Sequence, residues 1–215
     1  MPAGEFVQAV EGSGQVSALD ALLKALLPVS RVIDAATTWI GKRVAWLILA
    51  AVIVSATNAI IRKVFDTSSN SWLELQWVLF SMVFLLCSPW TLLANEHIRI
   101  DIVNNLLPKR LRDSIDIIGH AFFLMPLTII MIVTGVPFFF RSFEINEQSG
   151  NAGGLPQWPS KALVMIGFTM LFIQAVSELI KRVAVLRDLI PDPHAGQKSS
   201  LEAEAEEIIG AIEKH

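Results

Sequence analysis

The chain has 215 residues, 53% of them hydrophobic and 17% charged, with a mean hydropathy of +0.54. Soluble domains carry about 25% charged residues, so the composition excludes an ordinary soluble domain and indicates an integral membrane protein. The net charge of −3 hides a strong segregation of basic and acidic residues along the chain. The single cysteine, Cys87, excludes an intrachain disulfide, a cysteine metal cluster and paired-thiol redox chemistry.

Two segments precede the first long apolar run. Residues 1–17 are small, polar and glycine-containing, and we predict a disordered lead. The first twenty positions hold acidic residues but no Lys or Arg, which argues against a cleaved signal peptide. In residues 18–43, an apolar stripe after Pro28 is too short and too polar to span a membrane. We predict an amphipathic helix that lies in the membrane interface and turns at residues 41–43, with packing on the protein itself as a compatible alternative.

Four apolar runs then predict four transmembrane helices, at about residues 44–65, 72–94, 115–140 and 161–180. At 1.5 Å per residue each run crosses most of a ~30 Å hydrocarbon core. We therefore predict an all-α membrane protein with a four-span domain over residues 44–187. Pro89 predicts a kink late in the second span, and Asn58 and Gln174 are candidates for interhelical hydrogen bonds.

The remaining residues, 188–215, form an acidic tail. Its last part predicts a short helix with five glutamates and one apolar side, made of Leu201, Ala205, Ile208, Ile209 and Ile212. Because anionic lipid repels an acidic helix, we predict that the tail projects into water or meets a partner.

The distribution of basic residues predicts the orientation. With four spans both termini lie on one side, and the opposite side holds only Arg62, Lys63, Arg141 and Lys161. The positive-inside rule therefore places both termini in the cytoplasm, and the connections 66–71 and 141–160 outside.

The cytoplasmic connection after the second span is dense in charge. On a helix, Glu96 would face Arg99 at i,i+3 and His97 would face Asp101 at i,i+4. A segment that neutralises its own charges can lie near hydrocarbon or a partner at less cost than isolated charges. The alternative is a solvated loop whose charges only set topology.

We find no arrangement typical of an enzyme. The sequence has no Gly-rich phosphate loop after a strand, no HExxH and no Ser with a His-and-carboxylate pattern. We expect no catalytic residue, metal site or cofactor in this chain. Two functional classes remain as alternatives. One is the membrane anchor of a redox complex, with His97 and His120 as haem ligands, and the other is a stand-alone small transporter.

Three features in this order point to a family: Arg62 closing the first span, Trp72 and Glu74 opening the second, and the stretch His97-x-Arg99-x-Asp101 after it. Together they make the chain resemble, over about residues 31–187, the small membrane subunit (DctQ-type) of tripartite ATP-independent periplasmic (TRAP) transporters.

The resemblance implies a small permease subunit in the bacterial inner membrane. Its implied partners are a large multi-span permease subunit that holds the substrate and sodium sites, a periplasmic substrate-binding protein, and membrane lipids; no nucleic acid is expected. The chain would scaffold the large subunit during sodium-driven uptake of an organic acid or related solute. Structural or partner-interface roles fall to Arg62, Trp72, Glu74, Glu96, His97, Arg99 and Asp101, with Arg62 and Glu74 expected to pair.

Overall fold

The computed structural model describes residues 3–66, 69–94, 109–187 and 189–191. These residues form six α-helices and one π-helical turn: α1 (Ala3–Val44), α2 (Leu47–Phe65), α3 (Asn70–Leu93), α4 (Lys109–Gly119), the π-helical turn His120–Leu124, α5 (Met125–Glu144) and α6 (Trp158–Leu186). No strand occurs within these ranges. The prediction of an all-α protein is confirmed.

Four helical stretches of the described chain are long and apolar enough to cross a membrane: Ala18–Phe65, Asn70–Leu93, Ile117–Glu144 and Trp158–Leu186. The predicted number of four spans is confirmed, and the predicted bounds of each span stay predictions. Large apolar side chains on their outer faces stay exposed, such as Phe84 on α3 and Phe123 before α5. Exposed aromatic and aliphatic surface of this extent suits contact with lipid, where helices satisfy their own backbone groups.

Helix α6 is the centre of the bundle. It packs against α1, α3, α4 and α5, and 33% of its most apolar window is buried, compared with 11% in each of the other three spans. Gly167 allows the approach of α3, because a Cβ atom added there would lie 2.7 Å from the Cβ of Leu85. Small residues at such crossings let two backbones pack closely in a membrane protein.

Helix α1 packs lengthwise on the bundle. It passes through Pro28 and includes residues 3–17, which the sequence analysis assigned to a disordered lead. Near its C-terminal end it crosses α3, and a two-residue turn then leads into α2. Packing on the protein itself, the compatible alternative for residues 18–43, is what the structure shows. The placement of this segment in the membrane interface, and the division of the chain into segments, stay predictions.

The direction of α1 follows from its contacts with α6. Thr37 pairs with Gln174, whereas Asp20, earlier in α1, pairs with Arg187 at the end of α6. The two helices therefore run antiparallel, with α1 beside the C-terminal half of α6.

Two of the prolines inside the spans, Pro89 and Pro126, show how the helices accommodate this residue. Pro89 has no N–H to offer the carbonyl of Leu85, four residues earlier; the Ser88 hydroxyl donates to that carbonyl instead, at 3.0 Å. A π-helical turn immediately precedes Pro126, and there the Met125 N–H donates to the His120 carbonyl. A substitute donor such as the Ser88 hydroxyl and a local π-helical adjustment are two ways in which transmembrane helices tolerate proline. The kink at Pro89 stays a prediction.

Candidate functional site

Glu74, one of the predicted site residues, lies buried near the start of α3. Its carboxylate accepts three hydrogen bonds from the connection between α5 and α6. The donors are the Ser149 hydroxyl, the Asn151 amide at 2.9 Å and the Leu155 backbone N–H at 2.6 Å. Charge-assisted hydrogen bonds of this kind are about twice as strong as neutral ones. Glu74 therefore ties this connection to α3.

The first turn of α3 adds two further bonds to the same connection. Asn70 donates to the Ala152 carbonyl at 3.0 Å, and the Ser71 hydroxyl donates to the Gly153 carbonyl. Gly153 has φ +70°, a backbone conformation that glycine adopts without strain. We call Asn70, Ser71 and Glu74, with residues 149–155, the loop clamp.

The other end of this connection is fixed to α5 and α6. Lys161 of α6 donates a hydrogen bond to the carboxylate of Glu147, and its ammonium lies 4.1 Å from the centroid of the Phe138 ring on α5. The hydrogen bond from Lys161 holds the pKa of Glu147 below its usual value of 4.5. Both ends of the connection are therefore held by side chains of the spans.

The expected pairing of Arg62 with Glu74 is not formed among the described residues, because the connection after α5 occupies both oxygens of the Glu74 carboxylate. Arg62 lies exposed near the C-terminal end of α2. Trp72 is 38% exposed in the first turn of α3. The other four predicted site residues lie outside the described residues, and their roles stay predictions: Glu96, His97, Arg99 and Asp101.

A second polar cluster joins α1 to α6, with Asp34 of α1 at its centre. One carboxylate oxygen of Asp34 accepts from Gln174 at 2.9 Å and from Ser177 at 3.1 Å, and the other accepts from Lys181 at 2.8 Å. All three donors lie on α6, so this one carboxylate fixes the register of the two helices.

Further hydrogen bonds join the same two helices. We call Ser30, Asp34 and Thr37 of α1, with Gln174, Ser177 and Lys181 of α6, the polar seam. Thr37 donates to the Gln174 side-chain oxygen at 2.7 Å, and the hydroxyls of Ser30 and Ser177 lie 2.6 Å apart. Lys181 also pairs with Glu178 at 2.5 Å. Gln174 is fully buried, and its predicted role in interhelical hydrogen bonding is confirmed. Buried polar groups that are mutually satisfied in this way specify one packing of the helices.

Sequence reasoning missed Asp34, Ser177 and Lys181 as a group. The signal that could have found them is spacing: Asp20, Ser30, Asp34 and Thr37 recur at intervals of three, four and ten residues on one face of α1. The apolar stripe of this helix predicts an interfacial position, whereas the polar stripe beside it forms the contact with α6.

Both clusters hold elements together. The loop clamp attaches an irregular connection to a helix end, and the seam attaches α1 to the central helix. Within the described residues no group of three or more His, Cys, Asp or Glu side chains is placed to hold a metal ion. The geometry is that of a scaffold built around α6.

Comparison with known proteins extends this picture. Residues 51–185, more than half of the chain, match the model of a family described as tripartite ATP-independent periplasmic transporters, DctQ component. The matched range contains the loop clamp and nearly all of α6 and leaves out α1. No curated protein matches the chain.

Proposed function

The chain belongs to the DctQ family, the small membrane component of TRAP transporters, and from this membership we propose that it is a small permease subunit. It scaffolds a large multi-span subunit during sodium-driven, binding-protein-dependent uptake of an organic acid or a related solute. The observation that carries the proposal is the use of polar groups for internal attachment: they hold α1 on α6 and the connecting loop on α3.

The partners follow from this role. The large subunit holds the substrate and sodium sites, and the periplasmic binding protein delivers the solute. The chain sits in the bacterial inner membrane with both termini in the cytoplasm, which the excess of Lys and Arg on the side of the termini supports. The loop clamp then faces the periplasm and presents an ordered surface there.

The C-terminal end of α1 supports a position at the cytoplasmic membrane surface. Trp39 is 61% exposed, and Trp46 in the turn before α2 is 71% exposed. The Arg43 guanidinium lies 5.2 Å from the Trp39 ring centroid. Exposed Trp beside Arg, directly before a span, is typical of a membrane–water interface. We place this end of the predicted interfacial segment among the lipid headgroups.

Co-purification tests the proposal. The chain is expressed with an affinity tag together with its neighbouring genes, solubilised in mild detergent and analysed by mass spectrometry. We expect a multi-span protein in stoichiometric amount. Alanine at both Arg99 and Asp101 should lower its recovery, whereas alanine at the exposed Lys63 should leave it unchanged.

Two results would contradict the proposal. One is recovery of the chain alone under conditions that keep it folded. The other is a haem absorption band in the purified chain, which would favour the redox-anchor alternative.

A further inference from the structure

The middle part of α1 has an exposed apolar face. Leu22 is 56% exposed, Val29 52% and Val32 70%, and their spacing places them on one side of the helix. Leu23 and Ser30 are buried on the side that packs against the bundle. We call Leu22, Val29 and Val32 the α1 stripe; no described residue covers it.

Two basic residues lie on α1 between the α1 stripe and the side that packs against the bundle. Lys24 and Arg31 are exposed, and their seven-residue spacing puts them on one flank of α1. Neither forms an ion pair with a described residue. An apolar face with a basic flank fits an occupant that is apolar on one side and acidic at its edge.

The chain itself contains such a segment. Residues 192–215 lie outside the described residues, and their sequence predicts an amphipathic helix with an apolar side that includes Leu201, Ile208 and Ile209. Glu202 and Glu206 stand at one edge of that side, at i,i+4. The tail therefore matches the α1 stripe in both polarity and charge.

The tail begins at the end of α6, close to α1. Arg187 lies 3.7 Å from Asp20 of α1, and the Leu189 N–H donates to the Ala184 carbonyl at 2.9 Å, which turns the chain after α6. The ten residues from Pro191 to Leu201 can span about 33 Å. The distance along α1 from Asp20 to Val32 is only about 18 Å.

We propose that the C-terminal tail docks on α1 of the same chain, with its apolar side over the α1 stripe and Glu202 and Glu206 beside Lys24 and Arg31. Tethering raises the effective concentration of such a segment to about the millimolar range, so a small apolar contact and two charge pairs suffice. The inference concerns this chain alone and does not depend on the proposed transport function.

Site-specific crosslinking of the full chain tests the docking. In a Cys87→Ser background, Val29→Cys is combined with Ile209→Cys and treated with a short bismaleimide. The control replaces Val29→Cys with Val52→Cys, because Val52 on α2 is similarly exposed at 53%. We expect intramolecular crosslinking about tenfold above the control, as proximity predicts. Equal yields from the two pairs would overturn the proposal.

Charge reversal separates docking from chance contact. Glu202→Lys with Glu206→Lys should reduce the crosslink several-fold, and Lys24→Glu with Arg31→Glu in the same chain should restore it. Failure of the first pair to reduce the yield contradicts the charge match.

The crosslinking is repeated in nanodiscs of anionic lipid. If the thiol introduced by Val29→Cys is shielded from the maleimide in the nanodiscs without forming the crosslink, lipid covers the α1 stripe and the proposal is overturned.

Discussion

At the scale of single residues, Glu74 shows how a carboxylate near the end of a span is accommodated. Its three donors come from a connection 75 to 81 residues away in sequence, so the partner cannot be identified from residues near Glu74. The sequence did indicate that Glu74 matters, and the pairing that we expected with Arg62 is replaced by the loop clamp.

The first prediction is that Glu74→Ala loosens the loop clamp. The substitution leaves the Ser149, Asn151 and Leu155 donors without their acceptor, and unmatched donors are costly. We expect the midpoint of thermal unfolding in detergent to fall by several degrees and proteolysis within residues 145–157 to accelerate. Glu144→Ala, at an exposed position on α5, should change neither; equal effects of both substitutions would show that the clamp does not depend on Glu74.

Gly167 gives the second prediction. Gly167→Ala would place its Cβ 2.7 Å from the Leu85 Cβ and 3.1 Å from the Leu85 carbonyl oxygen, so α3 and α6 must separate. Overpacking of this kind costs about 1–3 kcal/mol. The control is Gly119→Ala on α4, where nothing lies within 4 Å of the added atom. Denaturation in mixed micelles should show destabilisation for Gly167→Ala alone; a neutral effect would contradict the close packing.

Glu147 gives a pH-dependent prediction. The hydrogen bond from Lys161 lowers the pKa of Glu147 below 4.5 in the folded state. A carboxyl group whose pKa is lower in the folded protein than in the unfolded protein stabilises the fold at pH values above its unfolded pKa. This stabilisation is lost as the pH falls through the folded pKa. We expect the unfolding midpoint of the wild type to fall as pH drops below 4.5, and Glu147→Gln to show a smaller fall. Parallel pH profiles for the two proteins would contradict this assignment.

At the scale of elements, the polar seam decides where α1 lies. Composition and hydropathy predicted the four spans, because long apolar runs are a local property of the sequence. The seam was not predictable in the same way, since Asp34 and Lys181 are 147 residues apart. Only the fold brings them together, although the spacing of polar residues on α1 carried part of the signal.

We predict that Asp34→Ala loosens the packing of α1 on α6. The substitution removes the acceptor of Gln174, Ser177 and Lys181, and leaves Lys181 with Glu178 as its remaining acidic partner among the described residues. Asp34 retains some exposure, so we expect a loss of about 2 kcal/mol, below the range for fully buried pairs. Hydrogen–deuterium exchange of the α1 amides should accelerate.

The matched control for this seam is Asp66→Ala. Asp66 is an exposed aspartate after α2, so its removal should leave exchange in α1 unchanged. Exchange in α1 that is unaffected by Asp34→Ala would show that Asp34 does not hold the helix on α6.

At the scale of the whole molecule, the described helices form one bundle around α6. The central helix packs against α1, α3, α4 and α5. Its Gln174 and Lys181 side chains bond to α1, and broad apolar surfaces remain on the outside of the bundle. Such a bundle offers large faces to lipid and to another membrane subunit. A body of this kind suits a scaffold against which another protein moves.

The central claim is that this chain supports transport without performing it. The most direct measurement is sodium-dependent solute uptake into proteoliposomes that contain the large subunit, this chain, or both, with the binding protein supplied outside. We predict uptake only when both membrane proteins are present. Uptake by this chain alone, or full uptake by the large subunit without it, would contradict the claim.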